Sequence, residues 1–190
     1  MINTIELKNG KIKYWIGEMP IINITNSLSI EENIQVHCDR SDTNTKAALE
    51  VFLHRNASYY GLLGVEYFPS TDSDNLKIIF NYTNENGAEY IDTILEYDEK
   101  VFMGLTEEYL SYTQKRIKTY LSKKDKIQGG ILNFTVAANS EIGSSPNLFS
   151  TLSEMLVELI VKMNSNENND DLDNVINDIF YSSSLFMKQN

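Results

Sequence analysis

Apolar and polar positions change their spacing several times along this chain, and each change marks an element. Ile5 and Leu7, then Ile12, Tyr14 and Ile16, alternate with polar residues on either side of Asn9-Gly10, two residues that tolerate positive φ. Residues 2–16 are therefore predicted as a β-hairpin turning on Asn9-Gly10. Pro20 to Ile24 and Asn33 to Cys38 are further strand candidates, separated by the mostly polar run from Thr25 to Glu32. Residues 45–54 fit two periods at once. Ala48, Leu49, Phe52 and Leu53 make a helix face, whereas Leu49, Val51 and Leu53 make an alternating strand.

From Leu62 the pattern predicts an antiparallel meander: a strand through Phe68, a turn at residues 69–74, a strand from Leu76 to Thr83, a turn at residues 84–87, and a strand from Ala88 to Leu95. Thr106 then caps a helix with Glu107 and Glu108 in its first turn and Tyr109, Leu110, Thr113, Ile117, Tyr120 and Leu121 on its apolar face. After Gly129-Gly130, the run of Ile131, Leu132, Phe134 and Val136 reads as a buried strand. A second helix follows, with Ser145 as N-cap, Pro146 at its first position and an apolar stripe from Leu148 to Met163.

Beyond Met163 an acidic, Asn-rich linker leads to a short amphipathic helix carrying Leu172, Val175, Ile176, Ile179 and Phe180. That helix is too short to persist alone and must dock on its own domain, on a second copy or on a partner. Residues 182–190 read as a fraying end in which Leu185, Phe186 and Met187 form a candidate binding motif. The predicted class is α+β: a mainly antiparallel sheet with two helices on one face, plus N-terminal strands and a short C-terminal helix. The division expected is residues 1–46, 47–163 and 164–190.

Charge narrows the partners. Sixteen basic residues against 27 acidic give a net charge of -11, which argues against general nucleic-acid or anionic-membrane binding, since both draw on cationic charge. One basic window stands out, with Lys115, Arg116, Lys118, Lys123, Lys124 and Lys126; it reads first as a solvated helix end complementing its own dipole. Cys38 is the single cysteine, so no internal disulfide forms. Nothing resembles a secretory leader or a membrane-spanning run, and the expected setting is cytoplasmic. The glycosylation-like triplets at Asn23, Asn56 and Asn81 then read as chance matches.

The candidate chemistry is sparse. His37 and Cys38 are neighbours, so on a strand they point to opposite faces and do not act together. With His54 as the only other imidazole, no metal site or Cys-His catalytic centre is expected, and Asp72 and Asp74 read as turn formers rather than calcium ligands. Gly143, Ser144 and Ser145, at the start of the second helix, are a candidate anion site because unbonded N–H groups and the helix dipole converge there. An ordinary cap is the plainer reading. No cofactor is expected.

Several runs, in order and at matching spacing, resemble a known family. They are Tyr59-Tyr60-Gly61 through Pro69, Gly87 through Ile94, and Ser140-Glu141-Ile142-Gly143-Ser144-Ser145 with Phe149. Residues 47–163 are similar to domain IV of translation elongation factor G and of the tetracycline-resistance ribosomal protection proteins. The resemblance implies a fold of the ribosomal protein S5 domain 2 type. It also implies a binding tip made by His54, Arg55, Asn56, Ala57 and Ser58 on one side and Asn139, Ser140 and Glu141 on the other. Ser140 stands where that family usually has a histidine, and no GxxxxGK[ST] phosphate loop occurs. The reading that follows is a non-catalytic binding module whose partner is the ribosome or a protein. The alternatives are a protein-interaction or homo-oligomeric module, associating through the C-terminal helix and unrelated to translation, and a phosphate- or nucleotide-binding enzyme using residues 140–145.

Overall fold

The computed structural model of the chain describes residues 1–24, 27–36, 43–54, 58–71, 74–123, 127–164 and 171–183. In order these form β1 (Ile2–Leu7), β2 (Gly10–Ile16), β3 (Leu28–Gln35), β4 (Thr45–His54), β5 (Ser58–Pro69), β6 (Asn75–Tyr82), β7 (Val101–Met103), α1 (Glu107–Leu121), β8 (Gly130–Ser140), α2 (Pro146–Asn164) and α3 (Leu172–Ser182). The fold is α+β: one mostly antiparallel sheet and three helices. The strands lie in the order β1-β2-β4-β5-β8-β6-β3, with β7 added on β8. Among the described residues β6 and β8 are the one pair of strands that run parallel.

β1 and β2 form the expected hairpin, but Leu7 faces Gly10, so the turn residues are Lys8 and Asn9 rather than Asn9-Gly10. Gly10 opens β2 at φ 144° because β4 runs close by; a Cβ there would sit 2.0 Å from the Phe52 carbonyl oxygen. Residues 45–54 are a strand. β4 lies inside the sheet with both faces covered, which is why alternation blurred into a continuous apolar run.

Three strand expectations are corrected. Pro20 to Ile24 forms no strand. β3 spans Leu28–Gln35 and so takes in part of the run expected to be a polar connection. As the last strand of the sheet it is largely solvated, and its alternation of Leu28, Ile30 and Ile34 is interrupted by Glu32 among polar neighbours. The meander does not form: β8 inserts between β5 and β6, and Ala88 to Leu95 is irregular apart from a bridge between Glu89 and Phe102. His37, Cys38, Asp72, Lys124 and Lys126 lie outside the described residues.

The helices cover one face. The expected residues of α1, Tyr109, Leu110, Thr113, Ile117, Tyr120 and Leu121, are all buried. Thr106 precedes the helix in extended conformation, yet its hydroxyl makes no capping bond. Leu148, Phe149, Leu152, Leu156, Leu159 and Ile160 of α2 are wholly buried, each stabilising the fold by roughly 1.5–3 kcal/mol. Ile176, Ile179 and Phe180 of α3 join the same core, and Asp173 accepts hydrogen bonds from the Tyr14 hydroxyl at 2.7 Å and the Asn3 amide at 3.0 Å. The apolar face of α3 thus packs on its own chain. In the basic window, Arg116 pairs with Glu154 and Lys118 with Glu32.

The opposite face carries a smaller core of Trp15, Ala48, Phe52, Tyr60, Leu62, Tyr90, Val101, Val136 and Ala138. An irregular strap, residues 84–100, lies across it and packs Ile94 and Leu95 onto it. Among the described residues no helix is long and apolar enough to cross a membrane.

Candidate functional site

The β4–β5 hairpin and the β8–α2 connection meet at one end of the sheet, because the start of β5 pairs with the end of β8, Gly61 opposite Asn139. Backbone and side-chain bonds then lock the loop to β5. The Tyr60 N–H donates to the Gly143 carbonyl at 3.1 Å, the Ser144 hydroxyl donates to the Tyr60 carbonyl at 2.7 Å, and the Ser145 hydroxyl donates to the Tyr59 oxygen at 3.2 Å. Ser145 also accepts from the Leu148 N–H at 3.3 Å, the N-cap expected of it.

His54 closes β4 at this end, with Nδ1 2.7 Å from the Tyr97 hydroxyl and Nε2 3.5 Å from Glu96. Its ring stands edge-on to Phe52, with centroids 4.6 Å apart. Glu96 is further held by Lys11 at 2.7 Å, and that hydrogen bond keeps its carboxyl below the usual carboxylate range. Arg55, Asn56 and Ala57 lie outside the described residues, and Ser58 enters only through its backbone pairing with His54.

Asn139 and Ser140 are corrected from tip to frame. They end β8 at 3 % and 2 % exposure, because this part of the strand is paired on both edges, with β5 on one side and β7 on the other. The Asn139 amide donates to the Gly104 carbonyl at 3.0 Å, and the Ser140 hydroxyl accepts from the Gly143 N–H at 2.8 Å. What this end offers to solvent is Glu141 and Ile142, the latter 71 % exposed.

The candidate anion site holds an anion of the chain's own. The N–H groups of Ile142 and Gly143 both donate to one Glu99 oxygen, each at 2.7 Å. Glu96, Tyr97 and Glu99 were not among the residues singled out from sequence. All three sit on the strap, and no local pattern shows that a carboxylate will meet amides 43 and 44 residues further on. Among the described residues no group of three or more His, Cys, Asp or Glu is placed to hold a metal ion. Compared with protein families, with curated proteins and with solved structures, the chain matches none.

Proposed function

We propose that this chain is a non-catalytic binding module that engages a protein partner through the end of the sheet built by His54, Glu141 and Ile142. The observation that carries this reading is the locking of the β8–α2 connection onto the first residues of β5, through the Gly143, Ser144 and Ser145 bonds to Tyr59 and Tyr60, beside an exposed isoleucine. The β8–α2 connection is one of the two loops that the resemblance to elongation factor G domain IV singles out, and His54, which precedes the other, ends β4. The succession β4, β5, β6, β7, α1, β8, α2, with the helices on one face, supports a fold of the ribosomal protein S5 domain 2 type, to which the short β7 is an addition. Glu99 weighs against a phosphate-binding enzyme, since a phosphate at Ile142 and Gly143 has to displace a carboxylate already bonded to both N–H groups.

The resemblance makes the ribosome the first partner to test. Exposed Glu96, Asp98 and Glu141 at this end favour a basic protein surface over RNA phosphate. The test is sedimentation with intact ribosomes on a sucrose gradient at low and moderate salt. Co-migration is expected, with loss of about ten-fold or more in affinity for Ile142→Glu and for the His54→Ala/Arg55→Ala pair, and little change in melting temperature. Absence of co-migration removes the ribosome; co-migration untouched by these variants removes this end of the sheet.

A further inference from the structure

Away from the helices, the sheet buries one carboxylate that forms no ion pair among the described residues. Glu50 lies midway along β4 at 0 % exposure and shares a face with Ala48 and Phe52, in a region otherwise made of Trp15, Tyr60, Leu62 and Tyr90. Its Oε1 accepts from the Tyr60 hydroxyl at 2.7 Å and from the Ile94 N–H of the strap at 3.0 Å. Among the described residues its Oε2 accepts no hydrogen bond, and the nearby Tyr90 hydroxyl, on a side chain 4 % exposed, has no partner either. Two unsatisfied oxygens in one buried cluster are costly, and such groups in folded proteins call for an explanation.

Lys13 stands directly opposite Glu50 in the β2–β4 register, the position from which a cation would ordinarily neutralise it. Its side chain is only 16 % exposed, and its ammonium pairs instead with Asp92 of the strap at 3.3 Å, 4.8 Å from the Trp15 ring centroid, from where its charge still acts on Glu50. The face therefore has an anionic floor, aromatic walls and unsatisfied acceptors, under a cover held across its width by side chains. Lys13–Asp92, Lys11–Glu96 at 2.7 Å and His54–Tyr97 at 2.7 Å are partly or fully exposed contacts of the kind that contribute little each. Backbone bonds fasten the ends: Tyr90 N–H to the Val101 carbonyl at one, and Glu141 N–H to the Lys100 carbonyl at the other.

We propose that Glu50, Tyr60 and Tyr90 form a binding site for a primary alkylammonium group, reached when the strap between Ile91 and Glu99 lifts. The chemistry selects that class. Glu50 Oε2 is an acceptor and the Tyr90 oxygen can accept, so the ligand must donate. Glu50, acted on by the charge of Lys13 but in no ion pair among the described residues, leaves room for a further positive charge, and Trp15 and Phe52 supply the aromatic faces that attract a cation and cover its alkyl stem. An ammonium has three N–H donors for Oε2, Tyr90 and the lone pair remaining on the Tyr60 oxygen. A guanidinium would leave donors unsatisfied against apolar walls, and a divalent ion needs more oxygens than converge here.

The test is a titration of the full chain with n-butylammonium chloride, followed by ¹H–¹⁵N NMR, with n-butanol at matched ionic strength as the neutral counterpart. Saturable shifts of the Ile94 amide and the Trp15 indole N–H are expected with butylammonium. They should be weaker by about ten-fold or more with butanol and in Glu50→Gln, which keeps an acceptor for Tyr60 and Ile94. Tyr90→Phe, which keeps the packing, is expected to weaken the response several-fold and serves if Glu50→Gln fails to fold. No saturable shift, an equal response to butanol, or variants that respond like the native chain would overturn the proposal.

Discussion

At the scale of single residues, Glu50 is the position where the chain departs most from ordinary practice. A carboxylate occupies a position whose neighbours on the same face, Ala48 and Phe52, are wholly buried, and burial raises its pKa. The Ile94 N–H, the Tyr60 hydroxyl, Thr93 and the charge of Lys13 pull the other way without cancelling that rise. A carboxyl raised on folding holds its proton more tightly in the native than in the unfolded state. Its contribution is therefore most favourable below the unfolded value near 4.5 and is lost as pH climbs through the folded value. Glu50→Gln removes the titration and keeps the shape, so its stability relative to the native chain should increase from about pH 4 to about pH 8. Urea unfolding of both proteins across that range checks this; a difference that stays flat would mean that Glu50 does not change protonation there. Sequence gave no warning of this residue, because a single Glu among Leu49, Val51 and Phe52 reads as the polar side of either a helix or a strand.

At the scale of elements, what could be read depended on whether the apolar pattern was local. Both long helices were legible, since each covers the sheet with one stripe and that stripe survives in the sequence at a period of 3.6. The β8–α2 unit was legible down to its cap. Ser145→Ala removes the bond to the Leu148 N–H and the contact with Tyr59, and should destabilise the protein by about 1 kcal/mol without changing the denaturant slope. A change well below that would show that the Pro146 start and tertiary packing hold α2 in place without the hydroxyl. Less was legible where long-range pairing decides. β3 is an edge strand whose apolar face, Leu28, Ile30 and Ile34, is broken by Glu32 and only partly covered, so its period was weak. Asn139 and Ser140 look like loop residues, yet pairing with both β5 and β7 draws them into a strand. The strap contains Tyr90, Ile91, Ile94 and Leu95, residues common in strands, but apart from the backbone bonds of residues 87–90 with β7 it lies over the sheet instead of joining it, and only the packing partners distinguish the two outcomes.

At the scale of the whole molecule, the sheet does not follow the sequence division into an extension, a core and an appendage. β2 pairs with β4 along seven residues, from Gly10 opposite Leu53 to Ile16 opposite Ala47, and its Tyr14 hydroxyl bonds to Asp173 of α3. The N-terminal strands thus join the middle of the chain to its last described helix. The chain holds one tryptophan, Trp15 on β2, buried in the core beneath the strap, so its fluorescence reports on the segment that sequence alone sets apart. If these strands are part of one cooperative unit, Trp15 fluorescence and far-UV circular dichroism will trace the same urea transition, with the same midpoint and slope. If residues 1–46 open first, the fluorescence transition will come at lower urea while most of the helix signal persists. The coincident outcome is expected because removing β1 and β2 strips β4 of a whole hydrogen-bonded edge and uncovers Phe52 and Ala48 together, a loss that the strap's side-chain contacts, Lys11–Glu96 and Lys13–Asp92 among them, cannot offset since they depend on β2 themselves.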